Sequence, residues 1–174
     1  PVYNFMPSQF HERVQTISDA QNDASFQGRL DAWEVAYDCA RDHFPFGVGF
    51  YAPQLHEIFN RYLPKTEPHA AHSIYFQILG EHGVGWLAIS LSLIMAAFIT
   101  ASRIRKLTRD VPELEWNFQM ASMIQVSLVG FCVGGAALSL AYYDVFILDI
   151  ALLMPLLKIA QDTIAATGKL KSAA

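Results

Sequence analysis

His72 is the group in this sequence best placed to move a proton. It opens the stretch His72-Ser73-Ile74-Tyr75-Phe76-Gln77-Ile78-Leu79-Gly80-Glu81-His82-Gly83, and an uncharged apolar run starts at Val84. Imidazole, with an unperturbed pKa of ~6.5, takes and returns a proton near neutrality. Glu81, in the same stretch, can orient an imidazole, bind hydroxyl groups or simply cap the bend before the apolar run. His69 and His82 read as loop histidines. The spacing His69-x-x-His72 does not match zinc patterns and the loop is flanked by Pro64 and Pro68, so no metal is expected. Arg29, Arg61, Arg41 and Lys65 supply the nearby cations. A guanidinium fork binds phosphate or carboxylate oxygens with two hydrogen bonds. Arg29 can equally pair with Asp31 or Glu34, and Arg61 follows an amphipathic stripe and can extend its head to water. Asp149 falls inside an apolar run, where an ionised side chain is costly; it serves either function or a pairing with another helix. Cys39 and Cys132 lie in a polar and an apolar region and lack metal-ligand spacing.

The elements that must position these groups are helical. Hydrophobic residues make up 53% of the 174 residues and charged ones 16%, against about 25% charge in soluble domains. The balance points to a membrane protein. The chain starts at Pro1 with no signal peptide, so it reads as the C-terminal part of a longer protein. Three apolar stretches, about 84–102, 118–140 and 142–160, are expected to span the membrane, the third weakened by Asp144, Asp149, Pro155 and Lys158. Arg103, Arg105, Lys106 and Arg109 place loop 103–117 in the cytoplasm. Residues 1–82, with all six His, then lie outside, and three spans return the Lys-bearing tail to the cytoplasm. No basic patch is interleaved with aromatics, so nucleic acid is not expected as a partner.

The outer segment 1–82 reads as helices on a loop. Asp23 or Ser25 can cap a helix running to Asp42, with Leu30, Trp33, Tyr37, Ala40 and Phe44 as its apolar stripe. Pro53 can start a second helix carrying Leu55, Ile58, Phe59 and Tyr62. Ala70 to Leu79 is expected as a third helix that holds His72, with Gly80 and Gly83 marking a bend.

Three blocks in this order carry a family resemblance. Ser25-Phe26-Gln27-Gly28-Arg29-Leu30-Asp31-Ala32-Trp33, Pro45-Phe46-Gly47-Val48-Gly49-Phe50 and the histidine stretch from Ala71 to Gly83 resemble the outer loop of the O-antigen ligase and polymerase superfamily. With the upstream Glu12-Arg13-Val14-Gln15-Thr16-Ile17, their wording is most similar to the O-glycosylation ligases associated with the exosortase A system. The chain departs from the pattern twice. Ser73 stands where many ligases have Asn, and Trp33 where an Arg-x-x-x-Leu pattern has Leu.

The resemblance implies an all-α polytopic enzyme of the bacterial inner membrane, a lipid-carrier-dependent glycosyltransferase. Its implied partners are an undecaprenyl-diphosphate-linked glycan, a hydroxyl acceptor and membrane lipids, with no metal or other cofactor. His72 matches the family's histidine and Arg29 its outer-loop arginine. Such a transfer needs a base for the acceptor hydroxyl and cations for the departing diphosphate. His72 is the expected catalytic residue; Arg29, Arg61 and Glu81 are the expected substrate-binding ones. Two other readings stay open: a polymerase, whose acceptor is another lipid-linked repeat, and a non-enzymatic membrane partner or transporter component.

Overall fold

The amphipathic pattern after residue 23 folds as helix α1, Ala24–Asp42, in a computed structural model that describes residues 24–173, with side chains described for 25–167. The upstream block at 12–17, the alternative cap Asp23 and the side chains of Lys169 and Lys171 lie outside these described residues. The inner face of α1 differs from the expected stripe. Ala32, Val35, Ala36, Cys39 and Ala40 are buried, while Leu30, Tyr37 and Phe44 are exposed. Small side chains win this face because a neighbouring backbone comes close: a Cβ on Gly80 would fall 2.9 Å from the Ala36 Cβ. Phe59 fills the remaining space, fully buried against Ala32, Val35 and Cys39, a burial of about 1.5–3 kcal/mol. The same burial raises the Cys39 thiol to about 11 and the Tyr62 hydroxyl to about 12.

The Pro/Gly turn after α1 is tied to the chain ahead of the apolar run. Val48 N–H donates to the Gly80 carbonyl at 3.1 Å, and Gly49 N–H to the Glu81 carbonyl at 2.8 Å. Pro53 does not start the second helix. It sits in a 3-10 turn, Ala52–Gln54, and helix α2 follows at His56–Tyr62. Extended Leu55 (φ −73°, ψ 135°) breaks continuity between the two.

The third helix also starts later than expected. Helix α3 is Ile74–Thr108. His72 has φ 43° and Ser73 is extended at φ −156°, so neither can belong to a helix. His72 therefore precedes the helix instead of opening it. Gly83 (φ 81°, ψ −176°) divides α3 at the expected bend, whereas Gly80 stays helical and serves the close approach to α1. Beyond Gly85 no Gly or Pro occurs before Pro112, so the helix runs on through Arg103, Arg105 and Lys106, which are helical residues and not part of a loop. A 3-10 turn, Pro112–Leu114, leads into helix α4, Glu115–Gly135. It ends short of residue 140 at Gly134-Gly135, where glycine is a poor helix former. Helix α5 is Asp144–Ala173, with Pro155 inside it.

The described residues are helical with no strand and divide into two compact units. One runs to His72 and includes 76–84; the other holds 73–75 and continues from Gly85. The core of the second unit is Ala97, Ala101, Ile104, Ala121, Ile124, Leu128, Leu153 and Leu156. Buried Asn117 donates to the Leu156 carbonyl at 2.9 Å, and Arg105 donates to Gln125 Oε1 at 2.6 Å.

Two helical segments, Ile74–Thr108 and Pro112–Gly135, are long and apolar enough to cross a membrane. Only 11% and 22% of their apolar windows are buried, the reverse of a soluble core helix, which hides its apolar side chains. Ile89, Leu93, Met95 and Ile99 on the first, and Met123, Val126 and Val133 on the second, face outward. The third expected span exists as helix α5 but is not among the helices that meet this test. Asp144, Asp149 and Lys158 interrupt its apolar surface.

Candidate active site

Helix α1 places Ser25, Gly28 and Arg29 on one face, because residues three and four apart are neighbours on a helix. The loop between α2 and α3 brings His69 and His72 to that face. Together these five residues line an open cleft of about 320 Å³. Arg29 is half-buried and His72 is exposed.

One side chain fixes the loop. Trp33, one turn beyond Arg29, donates its indole N–H to the Ala71 carbonyl. Its ring stacks on Phe76, with centroids 4.8 Å apart and planes 6° from parallel. The residue before His72 and a residue just after it are thereby both tied to the helix that carries Arg29. The tie accounts for the backbone of His72. A non-glycine residue in the left-handed region costs of order 1–3 kcal/mol and persists only where its surroundings enforce it. It also accounts for the departure at position 33: leucine can supply neither the N–H nor the stack.

The other expected site residues lie elsewhere. Glu81 is buried, accepts a hydrogen bond from Gln77 Nε2 at 3.3 Å, and its carbonyl receives the Gly49 N–H. Its carboxylate is also 4.0 Å from His82 Nε2. Glu81 thus braces the Pro/Gly turn and does not line the cleft. Arg61 is exposed on α2 and does not line it either. His82 and Phe50 pack edge to face, with ring centroids 4.4 Å apart. His69, read from the sequence as a loop histidine, and Ser25, read as a helix cap, both line the cleft. The signal for His69 was its spacing from His72, legible only as a poor zinc pattern. Among the described residues no group of three or more His, Cys, Asp or Glu side chains is arranged to hold a metal ion.

A guanidinium and an imidazole on one cleft can bind an anion and accept a proton side by side. Residues 2–84 match the O-antigen ligase family. The match covers just under half of the chain, contains all three motif blocks, and ends at Val84, where the first compact unit also ends. It supports the O-antigen ligase superfamily for this chain. The O-antigen ligase family comprises bacterial integral membrane proteins that are glycosyltransferase-like ligases, with lipid-linked glycans as substrates in general. No curated protein and no solved structure matches the chain.

Proposed function

We propose that this protein is an O-antigen ligase-like membrane glycosyltransferase that moves a glycan from undecaprenyl diphosphate to a hydroxyl acceptor on the periplasmic face. The observation that carries the reading is the cleft shared by Arg29 and His72, within the segment that matches the family. The acceptor oxygen attacks the anomeric carbon, its proton passes to a ring nitrogen of His72, and the bond from that carbon to the diphosphate oxygen breaks. General-base help of this kind is worth about 10²–10⁴-fold. Arg29 binds the departing diphosphate through its two-pronged fork. Arg61 and Glu81 do not line the cleft, so the proposal rests on Arg29 and His72. The similarity to exosortase-associated O-glycosylation ligases concerns the acceptor and is the finer part of the same proposal.

The test is transfer from purified lipid-linked glycan by the full-length protein in liposomes. Arg29→Ala should abolish most transfer, and Arg29→Lys should recover little, since lysine keeps the charge but loses the fork. Wild-type transfer by a well-expressed Arg29→Ala protein would move the diphosphate away from this cleft.

A further inference from the structure

Gly28 has no backbone reason to be glycine. It lies inside α1 with an ordinary helical conformation, where alanine is the better helix former. What the missing Cβ makes room for is one side chain. A Cβ at this position would fall 2.8 Å from Cδ2 and 2.9 Å from Nε2 of His69. The His69 ring is thus seated on the helix backbone, next to the residue that carries the Arg29 guanidinium, and it lines the same cleft as Arg29 and His72.

We propose that His69 is a second binding residue for the diphosphate of the donor, seated by Gly28. The proposal rests on the reading of the cleft as the diphosphate site. A diphosphate spreads its charge over several oxygens, more than one guanidinium fork can satisfy. An imidazole offers an N–H to one of them whether it is neutral or protonated. His69 therefore acts on the anion while His72 acts on the acceptor proton, a division of labour that two imidazoles on one cleft permit.

The experiment is a double-mutant cycle on the full-length protein in liposomes, reading kcat, the KM for lipid-linked donor and inhibition by inorganic diphosphate. His69→Ala should raise the donor KM by about tenfold, as expected for a lost hydrogen bond to a charged group, and weaken inhibition by diphosphate similarly. The effect on kcat should be small beside that of His72→Ala. His69→Gln, which keeps an N–H donor, should restore part of the affinity. Gly28→Ala displaces the ring and should reproduce the His69→Ala values, and the double variant should be no worse than either single one. A merely structural His69 would predict neither the rescue by glutamine nor an effect confined to donor KM and diphosphate inhibition; the non-additivity tests only that Gly28 seats the ring. Unchanged donor KM and diphosphate inhibition in His69→Ala, with Arg29→Ala and His72→Ala inactive, would overturn the role of His69 alone. Normal transfer by Arg29→Ala and His72→Ala would overturn the cleft reading and this inference with it.

Discussion

At the residue scale the site depends on how His72 is held. Its left-handed backbone (φ 43°) is stabilised by Trp33, which grips Ala71 and Phe76. Trp33→Phe keeps a ring for the stack and removes the N–H. A net hydrogen bond is worth about 1 kcal/mol, and a small misplacement of a catalytic group is amplified in rate. Trp33→Phe should therefore lower transfer by roughly tenfold while thermal unfolding stays near that of wild type. Unchanged turnover would show that the indole bond does not position His72. His72 itself was legible in the sequence because an imidazole beside an uncharged run is a conspicuous pairing. His69 was not, because only the fold shows that Gly28 leaves space for its ring.

At the scale of elements, glycines set the packing of the Pro/Gly turn. A Cβ on Gly47 would collide with the backbone of Gly80 and Glu81, and one on Gly83 with the backbone of Pro45 and Phe46. Backbone cannot step aside as a flexible side chain can. Gly47→Ala and Gly83→Ala should each destabilise the protein by on the order of 1–3 kcal/mol, Gly83→Ala the more because its φ of 81° is also strained for alanine. Gly85→Ala, with nothing near its Cβ and inside helix α3, is the control and should be neutral or slightly stabilising in thermal unfolding, because alanine is the better helix former. Equal melting of all three would contradict this packing. The helices and the bend at Gly83 could be read from periodicity and turn residues. Their ends and inner faces could not. The start at Ile74 depends on two non-helical residues before it. The small-residue face of α1 depends on the approach of Gly80, a long-range contact that local hydrophobicity ranks below Leu30 and Tyr37.

At the scale of the whole molecule, the charge distribution predicts a topology that labelling can test. The basic residues 103–109 on and after the end of α3 predict a cytoplasmic position, and the cleft-bearing unit then faces the periplasm. If α5 crosses as well, the tail returns to the cytoplasm and Asp149 enters the membrane. Asp149 is 8% exposed, and its Oδ2 lacks a hydrogen-bond partner among the described residues. Exposed positions Glu57 and Asp110 suit cysteine labelling in a Cys132→Ser background. Cys39 can stay, because it is buried and its thiol is raised to about 11, leaving it protonated and poorly reactive near neutrality. A membrane-impermeant thiol reagent should label Glu57→Cys but not Asp110→Cys in intact spheroplasts. The reverse pattern would invert the topology.

In the proposed reaction His72 takes the acceptor proton beside a diphosphate held by Arg29, and the turnover of His72→Ala tests that role. The measurement is transfer from purified lipid-linked glycan in liposomes at saturating donor, with the variant matched to wild type for expression and thermal unfolding. Turnover should fall by roughly 10²-fold or more, the range for losing a general base. A folded His72→Ala protein that transfers glycan at close to the wild-type rate would remove His72 from the role of base.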